Sequence, residues 1–352
     1  MQPKSDILLV SVEELKKFVE AKNHKTFRAK QIYEWLWKIG VRSFSEMNNI
    51  PKELISELDG HYVILRLDIE STQKSVDGTI KTAFKLHDDH LIEGVLIPTS
   101  KRTTACISSQ VGCSMTCTFC ATGRLERKRN LEESEIFDQV VAISQQAKEH
   151  HGKTLSNIVY MGMGEPLLNY ANVLKSIKRI TDPKGLGMSP KRITVSTVGI
   201  AKMIKKLGDD DVKFNLALSL HAANDEKRSK IIPINEQNSL DTLKEAIIYF
   251  HERTGTRITY EYIIFKNFND ELTDARELAE FCKITPCKVN VIEYNPIGNT
   301  ELSQAEARKV DAFVAHLESR NIIVNVRRSR GKDIDAACGQ LANKGHKNKQ
   351  AN

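Results

Sequence analysis

The sequence predicts an α/β protein: a partial (β/α)6 TIM-like barrel, preceded by a small helical domain and joined to it by a short sheet. Three observations carry that prediction. Beyond residue 100 strand-like and helix-like segments alternate; before residue 60 the apolar residues keep a helical spacing; between the two lie short β runs divided by turn formers. Alternation of this kind builds a parallel sheet covered by helices.

Residues 1–60 read as the helical domain. Val12, Leu15, Phe18 and Val19 form one helical stripe, and the segment AKQIYEWLW at 29–37 follows with both tryptophans of the chain. Residues 61–100 read as the linking sheet, with strands over 62–67, 79–86 and 91–96 divided by Asp77-Gly78 and Asp88-Asp89. Residues 101–342 read as the barrel. Strands over 103–107, 157–161, 192–197, 213–220, 256–265 and 288–294 alternate with helices over 131–150, 170–181, 200–207, 240–251, 271–281 and 304–319, and a strand over 322–326 comes last. Residues 343–352 form a basic tail.

At 352 residues with 40% hydrophobic composition, the chain can bury a sizeable core, which excludes disorder over most of its length. No run of about 18 apolar residues occurs, and the start MQPKSDILLV lacks a secretory pattern, so the expected setting is the cytoplasm with no membrane contact. Seven cysteines, four of them within 106–120, are a poor basis for a structural disulfide framework. They point to metal binding or thiol chemistry.

The most specific motif is CSMTCTFC at 113–120, a C-x3-C-x2-C run on the loop after the first barrel strand. Cys113, Cys117 and Cys120 could hold a structural zinc with a fourth ligand, or a four-iron cluster with one iron left open to a small chelating molecule. After the second barrel strand comes MGMGEP at 161–166. Gly164 permits close backbone approach and Glu165 can accept from an ammonium group, though a plain strand-to-helix turn would read the same. Ser196, Ser219, Leu220, His221 and Asn295 fall at the C-terminal ends of later strands. Each alone also serves as a cap or turn former, but in a β/α barrel ligands bind at that rim. This convergence favours a barrel over an open sheet.

Cys282 and Cys287 read as small buried hydrophobes, whereas Cys338 stands in a polar, loop-like segment where an accessible reactive thiol is plausible. Glu93 in IEGVL at 92–96 reads, taken alone, as an exposed strand carboxylate.

The cysteine triad with Phe119 before its last member resembles the radical S-adenosylmethionine (SAM) superfamily. The resemblance narrows to the RlmN/Cfr methyltransferases through CISSQVGC at 106–113, CATG at 120–123, MGMGEPL at 161–167, SPKRITVSTVG at 189–199, LSLH at 218–221, YNPIG at 294–298 and DAACGQ at 335–340. It implies a radical SAM barrel with a [4Fe-4S] cluster on Cys113, Cys117 and Cys120, and SAM held by Gly164, Glu165, Ser196, Ser219, Leu220, His221 and Asn295. It further implies a methyl group carried on Cys338, resolution by Cys106 through a transient disulfide, and Glu93 as proton acceptor. Two SAM molecules would be consumed per methylation of adenine C2 in 23S rRNA and tRNA. A low-potential donor such as flavodoxin would supply electrons, and a monomer is expected. Glu165-Pro166 resembles the RlmN branch; a Cfr-like enzyme acting at C8 is the near rival, and a non-catalytic zinc-containing RNA-binding protein the distant one. The loop 123–130 is more charged than the family's glycine-containing version.

Basic residues flank both reactive regions: Lys22, Lys25, Arg28 and Lys30; Arg124, Arg127, Lys128 and Arg129; Arg327, Arg328, Arg330 and Lys332; and Lys344, Lys347 and Lys349. Such clusters either form a solvated face or bind phosphates in a salt-dependent way. With an RNA substrate, the target base would be extruded into the barrel mouth.

Overall fold

The computed structural model describes residues 4–183, 185–298 and 300–343. The lysines of the basic tail lie outside them.

The helical domain holds α1 (Val12–Ala21), α2 (Phe27–Glu34) and α3 (Lys52–His61), with the short parallel strands β1 (Ser5–Asp6) and β2 (Tyr62–Val63) tying its two ends together. Ser11 starts α1 with a capping box: its hydroxyl accepts from the Glu14 N–H while the Glu14 carboxylate accepts from the Ser11 N–H. Leu15 and Val19 of the predicted stripe are buried.

Ten strands form one sheet. In chain order they are β3 (Asp68–Lys74), β4 (Ile80–Lys85), β5 (Leu91–Pro98), β6 (Thr103–Cys106), β9 (Asn157–Tyr160), β10 (Ile193–Thr197), β11 (Asn215–Ser219), β12 (Ile258–Ile264), β13 (Cys287–Glu293) and β14 (Val324–Arg327). The ribbon of β7 (Gln110–Val111) and β8 (Arg129–Asn130) stands apart. From β6 through β9 to β14 the strands lie side by side in chain order, and every pair is parallel. Helices α4 (Glu133–His151), α5 (Tyr170–Thr181), α6 (Ala201–Asp209), α7 (Asp225–Ile231), α8 (Leu240–Thr254), α9 (Leu272–Phe281) and α10 (Ala307–Ser319) fill the crossovers. This is the predicted partial barrel.

Along β12 the side chains alternate. Tyr260 and Tyr262 face the helices, against Phe281 and Phe313 with ring centroids 5.3 and 5.2 Å apart, so Glu261 and Ile263 face the barrel interior. Trp37 of the helical domain packs on Phe137 of α4 at 5.4 Å and under the Arg179 guanidinium at 4.3 Å, which docks that domain on the barrel.

Two features differ from the sequence reading. The strands within 61–100 are not a separate sheet: β5 pairs antiparallel with β6, so β3 to β5 extend the barrel sheet. Strand β3, with the polar sequence DIESTQK, escapes detection because an edge strand mostly in solvent needs no apolar alternation. Short helix α7 also lies between the expected elements.

The strand ladder leaves β3 and β14 as edges. Near them, the β3–β4 turn meets the segment after β14 through side chains. Ser75 Oγ donates to Asp333 at 2.6 Å, the Val76 N–H donates to the same carboxylate at 3.2 Å, and Asp77 accepts from the Gly331 N–H at 3.0 Å. Among the described residues no helix is long and apolar enough to cross a membrane.

Candidate active site

The cysteine loop lies at the C-terminal ends of the parallel strands. Its backbone is fixed by Cys113 N–H to Leu125 O at 3.3 Å, Thr118 N–H to Ile231 O at 3.1 Å and Cys120 N–H to Cys117 O at 3.2 Å. Met115, Phe119, Ile232, Ile263, Phe265 and Ile292 surround it with apolar atoms. Burial pushes the Cys113 thiol up to about 11, with Cys120 and Glu165 adding to the effect; Cys117 is raised by burial and then by Cys120 and Cys113. Mutual influence of this kind requires proximity. Yet among the described residues no three His, Cys, Asp or Glu side chains converge tightly enough to hold one metal ion. Sulfurs sharing a zinc lie about 2.3 Å from it, whereas a four-iron cluster receives each thiolate on a different iron. Three thiols carried on one apolar loop are the donor set that a four-iron cluster would use, each on a different iron.

The segment after β9 is shaped by glycine. A Cβ on Gly162 would meet Ile107 O at 2.7 Å, and on Gly164, at φ +95°, would meet Gln110 Cβ at 2.5 Å. Glu165 is buried, and its carboxylate accepts from Leu167 N–H at 3.0 Å and Val198 N–H at 2.9 Å. Burial outweighs those bonds and pushes its pKa up to about 7.

Further round the rim, Ser196 Oγ and Ser219 Oγ lie 3.4 Å apart. Leu220 is fully buried and offers only its backbone, donating to Glu261 O at 3.0 Å and accepting from Arg228 Nε at 3.2 Å. His221 has φ +56°, and its Nδ1 accepts from the Ile263 N–H at 3.1 Å, which places the ring proton on Nε2. Burial and then the Arg228 charge lower its pKa to about 3, so the ring is neutral. Phe119 meets it edge-on at 4.6 Å. Asn295 donates to Cys338 O at 3.4 Å, and its buried Oδ1 has no hydrogen-bond partner in the structure.

Cys338 is carried beside the cysteine loop. Ala121 N–H donates to Gly339 O and Thr122 Oγ1 to Leu341 O, both at 2.7 Å. The residue is exposed at the surface, while protein atoms crowd its sulfur from the side of the cysteine loop and β12. Burial, then Cys120 and Glu261, push its thiol up to about 12 against the pull of Arg327. Cys106, the last residue of β6, is buried, and burial followed by Cys338 raises it to about 12 as well. All seven cysteines are free, so the Cys106–Cys338 bond is not formed in this structure. Glu93 is not the exposed strand carboxylate that its sequence alone suggested. It is buried because β5 lies between β4 and β6, and its Oε2 accepts from the backbone N–H groups of Ala342 at 2.8 Å and Asn343 at 3.2 Å.

Sequence reasoning missed Glu261, Asn290 and Arg228. Glu261 accepts from Asn290 at 2.7 Å and lies 3.7 Å from Arg327, while its buried Oε2 has no hydrogen-bond partner. A single carboxylate inside the apolar run ITYEYII was the available signal. Arg228 is fully buried beneath the cysteine loop, bonded to Asn235 and to the carbonyls of Val198, Ser219 and Leu220. Among the described residues it has no carboxylate at ion-pair distance, and burial lowers its pKa to about 10. The basic clusters are partly consumed internally: Arg129 binds Asp88 and Glu135, Arg330 binds Asp77, and Lys332 binds Glu293. Lys25, Lys30, Arg127 and Arg328 remain exposed.

Residues 107–281 match the family model of the Radical SAM superfamily, and residues 5–64 match that of the Ribosomal RNA large subunit methyltransferase N-terminal domain. A probable dual-specificity RNA methyltransferase RlmN of Cytophaga hutchinsonii is 58% identical over 96% of this chain and 93% of its own length. The chain belongs to the RlmN family. Another RlmN relative, from Flavobacterium johnsoniae, is 54% identical over 97% of this chain and 98% of its own. The crystal structure of a radical SAM methyltransferase from Sphaerobacter thermophilus superposes with a TM-score of 0.89 at 37% identity, covering 96% of this chain and 99% of that one. RlmN membership accounts for both the barrel and the helical domain in front of it.

Proposed function

We propose that this RlmN-family chain methylates C2 of adenine in 23S rRNA and in tRNA, with Cys338 as methyl carrier. The observation that supports this most is the pair of 2.7 Å bonds joining the cysteine loop to the Cys338 segment, which sets a solvent-accessible thiol beside the triad.

C2 of adenine is an electron-poor carbon with an unactivated hydrogen, so it has no lone pair with which to attack a SAM methyl group. A cluster on Cys113, Cys117 and Cys120, with SAM bound among Gly164, Glu165, Ser196, Ser219, Leu220, His221 and Asn295, would supply the electron and the hydrogen-abstracting radical that this carbon requires. The Cys338 thiolate first takes a methyl group from one SAM by displacement, becoming a thioether. Its methyl carbon, after giving up one hydrogen atom, bonds to C2, and the adduct then loses one electron and, to Glu93, the C2 proton. The Cys106 thiolate attacks the Cys338 sulfur, the bond from that sulfur to the transferred carbon breaks, and that carbon takes up a proton to become the methyl group on C2. The Cys106–Cys338 disulfide is returned to two thiols by a thiol reductant. A second SAM is consumed in each cycle.

Neutral His221 and buried Glu165 offer hydrogen-bonding groups to SAM without mobile charge. The helical domain and the exposed cations Lys25, Lys30, Arg127 and Arg328 would hold RNA by its phosphates, which makes binding strongly salt-dependent. We place the enzyme in the cytoplasm as a monomer, drawing electrons from a low-potential donor such as flavodoxin.

The test is anaerobic reconstitution with iron and sulfide, incubation with SAM, reductant and unmodified rRNA or tRNA, and mass spectrometry of the nucleosides. A 2-methyladenosine product is expected. Only 8-methyladenosine would transfer the chain to C8 chemistry, and neither product from cluster-loaded protein would overturn the RNA assignment.

A further inference from the structure

The candidate active site occupies the C-terminal ends of the strands. At the other end of the barrel the fold brings two further thiols together. Cys282 follows the last residue of α9, and Cys287 is the first residue of β13. The Cys287 thiol donates to the carbonyl oxygen of Cys282 at 3.5 Å, and the two side chains are close enough to influence each other's ionisation. Cys282 is buried, whereas Cys287 is partly exposed.

Both border a cavity of about 540 Å³, whose rim also carries Arg257, Lys283 and Arg320. Lys283 is neutralised by Glu280 at 2.7 Å. Among the described residues, neither Arg257 nor Arg320 has a carboxylate at ion-pair distance. The cavity therefore presents two adjacent sulfurs beneath uncompensated positive charge. Buried hydrophobic cysteines need neither the contact between thiols nor the opening.

We propose that Cys282 and Cys287 form a thiol-exchange site for small anionic disulfides such as oxidised glutathione. Exposure assigns the order of attack. Cys287, reached from the cavity, attacks one ligand sulfur; the ligand S–S bond breaks, and the departing thiolate takes up the proton that Cys287 lost. The resulting mixed disulfide is attacked by Cys282, whose thiol also loses its proton, and the second ligand thiol leaves carrying a proton. In sum the two cysteines give up two electrons and two protons, the ligand disulfide becomes two thiols, and a Cys282–Cys287 bond forms. The electrostatics agree with this order: the neighbouring Cys282 side chain and then the Arg257 charge favour ionisation of Cys287, while Cys282 is raised. Closing that bond would fasten the end of α9 to the start of β13, without using any thiol of the candidate active site.

The test uses the full-length, cluster-loaded protein under anaerobic conditions. It is incubated with oxidised glutathione, free thiols are blocked with N-ethylmaleimide, and the digest is mapped by mass spectrometry. The wild type is expected to give a peptide linked through Cys282 and Cys287. Cys282→Ser should stop at glutathione attached to Cys287, and Cys287→Ser should leave Cys282 unmodified. Replacing Arg257 and Arg320 together by Gln should slow reaction with oxidised glutathione roughly threefold or more, but not with the uncharged hydroxyethyl disulfide. Iron content and melting temperature identify variants that fail to fold, and the two arginine replacements keep both thiols. The proposal is overturned if glutathione collects on other cysteines while Cys282 and Cys287 stay blockable. Equal rates with and without the arginines would overturn the anion preference.

Discussion

The backbone N–H of Ala121 donates to the carbonyl of Gly339 at 2.7 Å, so the residue after the triad is bonded to the residue after Cys338. Neither this bond nor the one from Thr122 to Leu341 uses the Cys338 side chain. Cys338→Ala is therefore expected to keep wild-type iron and sulfide content while forming no methylated nucleoside. Product from that variant would remove the methyl-carrier role.

Cys106→Ala should stall the cycle after carbon–carbon bond formation, because no other cysteine ends a strand facing Cys338. A covalent protein–RNA species is expected on a denaturing gel after anaerobic turnover. Unhindered turnover without that species would show that another thiol resolves the intermediate.

The reactivity of Cys338 should follow two opposing charges. Glu261 raises its pKa and Arg327 lowers it. Glu261→Gln is thus expected to speed alkylation of Cys338 by iodoacetamide at fixed pH, and Arg327→Gln to slow it, with mass spectrometry following the Cys338 peptide. A shift in the same direction for both variants would show that shape rather than charge controls access.

Arg228 fills a fully buried position with its guanidinium bonded to main-chain carbonyls. Arg228→Met would leave at least two of those acceptors without a donor, at a cost of about 3 kcal/mol. A clearly lowered melting temperature is expected, with Arg228→Lys falling between Met and wild type. An unchanged melting temperature for Met would mean that water replaces the guanidinium.

Most of the barrel was legible in the sequence, because buried parallel strands and amphipathic helices leave periodic apolar patterns. Strand β3 left none, since DIESTQK pairs through its backbone at an edge. Loop residues of the site were legible where chemistry constrains spacing, as in the triad and the MGMGEP turn. Glu93, Glu261 and Arg228 were misread or missed because burial of a charged side chain depends on which strands flank it. Nothing local in the sequence records that β5 sits between β4 and β6.

Asp77 makes the contact between the sheet's ends sensitive to acid. Burial opposes its ionisation, but bonds from Thr79 and from the Gly331 N–H prevail and lower its pKa from 3.8 to about 2. A carboxylate with a depressed folded-state pKa stabilises the fold above its ordinary value, and the contribution disappears as pH falls through the folded value. Asp77→Asn should therefore melt below wild type at neutral pH, with the gap closing between pH 3.8 and about 2. A gap that persists below that range would assign the effect to packing instead.

That contact also decides how the molecule can come apart. A barrel sealed by a strand ladder loses its rungs cooperatively, whereas Ser75, Val76 and Asp77 hold Gly331 and Asp333 through a few separate bonds on a turn. Such a seam can be unfastened one bond at a time while every strand stays paired. The segment bearing Cys338 begins immediately beyond it, so that segment is fastened by a clasp at its start and by the cysteine loop beyond Cys338.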